Sequence, residues 1–153
     1  MKDLVAQLRA HGERPAVHTA ELTITYQQLA DRVQSAATEL AGDRKLILLQ
    51  THNDLATLVQ YLGALAGGHV VLPVPAGSDH SDLLDTYRPD IVIDADGVRR
   101  RGAQHHRLHP DLALLLSTSG STGSPKLVRL SRFNLAANAE SIATYLDLSL
   151  IHI

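Results

Sequence analysis

Residues 112–130 read LALLLSTSGSTGSPKLVRL, and the fold assignment turns on them. The run opens with five apolar residues, Leu112 to Leu116, and closes with a second strand-like run, Leu127-Val128-Arg129-Leu130. Between them lies Thr118-Ser119-Gly120-Ser121-Thr122-Gly123-Ser124-Pro125-Lys126, small hydroxyl residues and glycines ended by proline and lysine. Glycine lets the backbone turn its N–H groups into a concave nest, and such a nest favours an anion. Hydroxyl side chains add donors that follow phosphate oxygens, and a lysine adds a point charge. The candidate site residues are therefore Thr118, Ser119, Gly120, Ser121, Thr122, Gly123 and Lys126. The chemistry they suit is holding the phosphates of a nucleotide.

Written as T-S-G-[ST]-T-G-x-P-K, the pattern fixes eight positions, and chance would produce it on the order of 10⁻⁷ times in a chain this long. A flexible Ser/Gly linker is the bland reading of this composition. Linkers seldom sit directly between two apolar strand-like runs, which favours the nucleotide reading. The loop is not a Walker A sequence, which needs Gly-x-x-x-x-Gly-Lys-[Ser/Thr] between a strand and a helix. Here Gly120 and Gly123 are too close together, Pro125 separates the glycines from Lys126, and Leu127 follows the lysine.

The loop resembles the signature of the adenylate-forming (AMP-binding) superfamily, which includes acyl-CoA synthetases, fatty-acyl-AMP ligases, luciferase and nonribosomal peptide synthetase adenylation domains. Two upstream stretches resemble the same family in the expected order. Leu22-Thr23-Ile24-Thr25-Tyr26-Gln27-Gln28-Leu29 is similar to its L-T-Y-x-E-L segment. Leu65-Ala66-Gly67-Gly68-His69-Val70-Val71-Leu72-Pro73-Val74 is similar to its L-x-A-G-x-x-x-V-P segment. Ser131-Arg132-Phe133-Asn134-Leu135 resembles the S-H-x-N-L that often follows the loop. The likeness runs from about Pro15 to Leu146. It departs at Leu127, where glycine is usual, at Arg132, where histidine is common, and at Gln28, where an acid is usual. Leu127 adds bulk beside the lysine; no departure removes a phosphate donor.

The resemblance implies an AMP-forming ligase. In that chemistry a carboxylate attacks the α-phosphorus of ATP, pyrophosphate leaves, and the acyl-adenylate is usually passed to the thiol of coenzyme A or a carrier protein. By the family pattern, Thr118 to Gly123 would embrace the β- and γ-phosphates and Lys126 would approach them as a cation. ATP and Mg2+ are the implied cofactors. The magnesium ligand, the ribose-binding aspartate, the acid pocket and the C-terminal lysine belong downstream, so no catalytic residue is expected within these residues. The expectation is an N-terminal portion of an AMP-binding domain over 1–147, inactive alone. Leu148-Ser149-Leu150-Ile151-His152-Ile153 matches the in-frame translation of a transposase-adapter DNA, and 148–153 are expected to be a non-native tail. A small non-catalytic nucleotide-binding or regulatory module is the alternative, and an α/β structural domain whose loop binds nothing is a third.

Composition narrows the partners. Net charge is −2, which supplies no field to attract nucleic acid, so phosphate recognition must be local to the loop. Cysteine is absent, which removes disulfides, thiol catalysis and Cys-ligated zinc. Aromatic residues are only 3%, leaving the core to Leu, Val, Ala and Ile. The first twelve residues carry Lys2, Asp3 and Arg9 and lack a signal-peptide core, and no apolar run approaches the roughly 20 residues of a membrane span. A cytoplasmic protein is the default expectation.

Periodicity predicts α/β architecture, a mostly parallel sheet with helices on both faces. Leu4, Val5 and Leu8 make one face of a short helix that Gly12 can end, and Pro15 to Thr25 read as a strand pair. Thr25 and Gln28 have capping-box spacing for a helix from Tyr26 to about Leu40 that buries Leu29, Val33, Ala36, Ala37 and Leu40. A strand over Lys45 to Gln50 leads to a helix capped by Asn53, burying Leu55, Leu58, Val59, Leu62 and Leu65, and closed by Gly67-Gly68. His69 to Leu72 make the next strand, stopped by Pro73 and Pro75. A helix over Ser81 to Tyr87, a break at Pro89 and a strand over Ile91 to Ile93 follow. Apolar strands joined through helices imply parallel pairing and right-handed crossovers. Ser131 can cap a last helix with apolar positions Phe133 or Leu135, Ala136, Ile142, Ala143 and Leu146.

Other constellations are weaker. Arg99-Arg100-Arg101 with His105, His106, Arg107 and His109 reads as a solvated connection between strands; His105 and His109 have helix-face metal spacing, but Gly102 and Pro110 oppose a helix. Asp94-Ala95-Asp96-Gly97 lacks the closing acid of a calcium loop and reads as a turn. Asp79, Asp82 and Asp85 suit the solvent face of one helix, and Tyr26 and Tyr87 suit packing.

Overall fold

The computed structural model describes residues 4–102, 106–117 and 126–145. Thirteen elements run in the order α1 (Leu4–Arg9), β1 (Pro15–His18), β2 (Thr23–Thr25), α2 (Tyr26–Glu39), β3 (Leu46–Thr51), α3 (Leu55–Ala66), β4 (Val70–Pro75), α4 (Ser81–Tyr87), β5 (Ile91–Asp94), β6 (Gly97–Arg100), β7 (Leu112–Ser117), β8 (Leu127–Ser131) and α5 (Arg132–Tyr145). Six strands form one sheet in the order β6-β5-β3-β4-β7-β8, and β1 and β2 pair separately. The inner pairs β5-β3, β3-β4 and β4-β7 are parallel, while the outermost pairs β5-β6 and β7-β8 are antiparallel. The expected mostly parallel sheet is present.

Period-two alternation sends successive residues of each inner strand to opposite faces. On one face Ile47, Leu49, Val71, Ile91, Ile93 and Leu114 pack with Leu40, Ala64 and Leu65 beneath α2 and α3, and Leu135 of α5 adds to the same layer. On the other, Leu46, Leu48, Val70, Leu72, Val74, Val92 and Leu115 pack with Leu83 of α4. A third cluster, Val5, Ile24, Leu29, Ala30 and Val33, joins α1 and the β1-β2 pair to α2. Helices therefore cover both faces, as expected. The α2–α3 contact is close: a Cβ on Gly63 would stand 2.5 Å from the Ala36 Cβ.

Local signals explain most boundaries. Thr25 caps α2 through a capping box: its Oγ1 accepts from the Gln28 N–H at 3.3 Å, and Gln28 Oε1 accepts from the Thr25 N–H at 3.0 Å. The glutamine in place of the usual acid keeps this bond. Ser131 and Asn134 make the equivalent exchange at α5, with Asn134 N–H donating to Ser131 Oγ at 3.1 Å and Ser131 N–H to Asn134 Oδ1 at 2.9 Å. Four expectations need correction. Asp54, not Asn53, caps α3, its Oδ1 accepting from the Thr57 N–H at 2.7 Å. Ala37 and most of the expected α3 core (Leu55, Leu58, Val59 and Leu62) are only half-buried, because α3 is apolar around most of its circumference and the sheet covers one side. Asp79 precedes α4 and accepts from the Ser81 N–H at 2.9 Å.

The fourth correction concerns Pro73 and Pro75, which do not stop β4; the strand runs to Pro75. Val70 N–H donates to Lys45 C=O and Ala76 N–H to Thr51 C=O, so the even-numbered residues of β4 donate towards β3. The two prolines fall on the alternate set, facing β7, where the pairing register contains Val71 with Leu114 alone. Their missing N–H groups cost no ladder bond. The basic run also takes a shape the sequence reading did not give it: Arg99 and Arg100 belong to β6, an antiparallel edge strand formed by a tight turn at Gly97, whose φ is +108°.

Candidate functional site

All four inner strands run the same way, so the sheet has one amino edge and one carboxyl edge, and the two are built differently. The amino edge is held by buried side chains that bond backbone. His69 is fully buried between the end of α2 and the start of β3. Lys45 N–H donates to its Nδ1 at 3.1 Å, which fixes the proton on Nε2, and Nε2–H donates to Leu40 C=O at 3.1 Å. Burial, and then the neighbouring cations Arg100, Arg44 and Lys45, hold its pKa below the ordinary histidine value. Asp90, 5% exposed, accepts from the Leu46 N–H at 2.8 Å and so ties the starts of β3 and β5. His106 donates to Arg88 C=O at 2.9 Å beside it. Arg44 donates to Pro110 C=O at 2.7 Å and to Leu112 C=O, joining β3 to β7.

The carboxyl edge is open. Ligands of open parallel sheets bind outside this edge, where strand ends and the following loops converge. Here β3 ends at Thr51, β4 at Pro75, β5 at Asp94 and β7 at Ser117. A cleft of about 760 Å³ lies there, between the β1-β2 turn (His18, Thr19), the start of α3 (Leu55, Leu58, Tyr61) and the end of β7 (Leu114, Leu116). A second, of about 390 Å³, lies beside it between Gln50, Gln60 and Asp94. Asp54, at the start of α3, is fully exposed, and hydrogen bonds from Thr57 hold its pKa below the ordinary value.

The phosphate-loop candidate rises from this edge. Ser117 pairs with Leu127 in the antiparallel β7-β8 pair, so 118–126 connect the carboxyl end of β7 to the start of β8. Thr118, Ser119, Gly120, Ser121, Thr122 and Gly123 lie outside the described residues. Lys126 is described: it is exposed and immediately precedes β8 at the same edge. Of the weaker candidates, His105 also lies outside the described residues, and His109 sits in an exposed turn before β7. Among the described residues no group of three or more His, Asp or Glu side chains could hold a metal ion, so no described side chain is assigned to magnesium. His69, Asp90 and Arg44 escaped sequence reading, because their partners are backbone groups 24 to 68 residues away.

Comparison with known proteins bears on this arrangement. A fatty-acid–CoA ligase of Mycobacterium tuberculosis (fadD25) is 31% identical over 81% of the chain and 28% of its own length. The D-alanine–D-alanyl carrier protein ligase of Staphylococcus haemolyticus is 25% identical over 92% of the chain and 34% of its own length. The crystal structure of VinN superposes with a TM-score of 0.75 at 25% identity, covering 95% of the chain and 46% of VinN. Over most of its length the chain is similar to the N-terminal part of adenylate-forming enzymes. No protein-family model matches it. The chain spans about a third or less of the length of these curated adenylate-forming relatives. Its mixed sheet, flanked by helices, is the adenylate-forming fold. Among the described residues no helix is long and apolar enough to cross a membrane.

Proposed function

We propose that this chain is the ATP-phosphate-binding portion of an AMP-forming ligase, which converts a carboxylic acid to an acyl-adenylate and passes it to a thiol of coenzyme A or a carrier protein. The observation that carries the reading is positional: the hydroxyl, glycine and lysine sequence of 118–126 joins two strands at the carboxyl edge of a parallel sheet. Thr118, Ser119, Gly120, Ser121, Thr122, Gly123 and Lys126 would hold the triphosphate tail. Each charge-assisted hydrogen bond would contribute about 1.5–3 kcal/mol. For phosphoryl chemistry of this kind the protein's work is positioning and electrostatic stabilisation. ATP supplies the leaving pyrophosphate and Mg2+ neutralises phosphate charge; no described residue is given to the metal. On this reading residues 1–147 are the N-terminal portion of an AMP-binding domain, 148–153 are not native coding, the chain alone is inactive, and the enzyme works in the cytoplasm.

Replacing Thr122 or Gly123 by a bulky residue in the complete ligase should raise the ATP requirement at least tenfold while leaving acid binding within twofold. Steady-state kinetics with each substrate varied in turn makes the test. Equal losses for ATP and acid would refute the assignment.

A further inference from the structure

A further cleft, of about 330 Å³, lies outside the amino edge, where α4 ends, β5 begins and β6 runs out. Leu84, Asp85, Arg88, Pro89 and Arg101 line it. The backbones of both arginines are pinned. Arg88 N–H donates to Leu84 C=O at 3.1 Å, Arg88 C=O accepts from His106 Nε2 at 2.9 Å, and the fully buried Pro89 follows. Arg101 N–H donates to Asp90 C=O at 2.8 Å. Both arginines are exposed, and among the described residues neither guanidinium has a hydrogen bond or an ion pair. Asp85, the carboxylate in the lining, is equally unpaired among them. Arg88 is also the one non-glycine residue with a positive φ among the described residues (φ 42°, ψ 61°). A left-handed residue after a helix is a glycine position, and a residue before proline is ordinarily extended. Arginine has no short polar group to bond its own backbone there, as asparagine has. Residues held in such conformations cluster at ligand clamps and active sites.

We infer that this cleft binds a small phosphate monoester, its phosphate held between the guanidiniums of Arg88 and Arg101 and a hydroxyl of its organic part donating to Asp85. Two arginines on fixed backbone suit a doubly charged tetrahedral anion, because each guanidinium offers paired N–H donors to it. Asp85 repels an anion set against it, so the ligand must turn a donor in that direction. Leu84 and Pro89 leave an apolar side for a short organic body. The site goes beyond the ligase reading and does not rest on it: it lies at the opposite edge of the sheet from 118–126.

The test follows the arginine Nε–H signals of the labelled 153-residue chain by NMR, at constant ionic strength, through titrations with inorganic phosphate, glycerol 3-phosphate and acetate. Both phosphates should shift Arg88 and Arg101 saturably, with glycerol 3-phosphate bound at least threefold more tightly; acetate should shift neither. Arg101→Gln should weaken glycerol 3-phosphate binding at least fivefold. Arg88→Gly separates binding from architecture. Glycine takes the left-handed conformation without strain, so the midpoint of urea unfolding should not fall while binding drops at least fivefold. Asp85→Ala should tighten inorganic phosphate and abolish the preference for glycerol 3-phosphate. MgATP, whose phosphates are engaged by the metal, should leave both arginines unmoved. Unchanged binding in Arg88→Gly, an equal response to acetate or MgATP, or phosphate shifts gathered instead on Arg44, Arg99 and Arg132 would overturn the proposal.

Discussion

The two edges of the sheet are made of the same four strands and answer to opposite demands. At the amino edge, side chains of Arg44, His69 and Asp90 bond strand-end backbone groups, two of them buried. At the carboxyl edge, the polar residues cap helices or stand exposed, and clefts of about 760 and 390 Å³ lie open. Side chains tie the amino edge together, and room is left at the carboxyl edge. His69, with both ring nitrogens bonded to backbone, makes a rigid joint at this edge, since leaving either backbone partner unpaired is costly. The contrast says which substitutions should unfold the chain and which should change only what it binds.

His69→Leu should have the largest effect, about 2–4 kcal/mol lost in urea unfolding, because Lys45 N–H and Leu40 C=O are both left without their partner. Asp90→Ala follows at about 2–3 kcal/mol, since it strands the buried Leu46 N–H at the start of a central strand. Next comes a pH dependence that belongs to one edge alone. His69 has its folded pKa lowered, so the unfolded chain takes up that proton first as the pH falls. Its contribution should be complete above about pH 6.5 and decline as the pH drops towards the folded value. Unfolding midpoints measured from pH 8 to pH 5 should show that decline in the parent, and the slope should shrink in His69→Leu. The carboxyl edge gives the smallest effect: Asp54→Ala removes the α3 cap at about 1 kcal/mol. A loss at Asp54 that matched the loss at Asp90 would erase the distinction between the edges.

Sequence legibility follows the same division. The capping box at Thr25 and Gln28, the span of α4, the β1-β2 pair and the two strands flanking 118–126 are local, and local patterns found them. The staples of the amino edge are not local. His69 looks like one polar residue in an apolar run until the fold brings the carbonyl of Leu40 to it. Arg99 and Arg100 read as a solvated connection because charge dominates the run, yet an edge strand tolerates arginines and even benefits from them, as they discourage further pairing. Pro73 and Pro75 read as strand stops because the direction in which each N–H points cannot be known before the register is. The last helix departs furthest. Its apolar residues were expected to pack, yet none is fully buried: Leu135 is half-buried against the sheet, while Phe133 is 79% exposed and Ile142 47%. Hydrophobic residues spaced around the whole circumference of α5 leave it no single face to bury.

The central claim is that the segment between β7 and β8 receives a triphosphate. Amide chemical shifts of the labelled chain, followed through a titration with MgATP, test it most directly. The account predicts saturable shifts confined to residues 117–127 and the adjoining strand ends at Thr51 and Pro75, lost in Lys126→Ala. Shifts centred on the amino edge, around His69 and Asp90, with 117–127 unmoved, would contradict it.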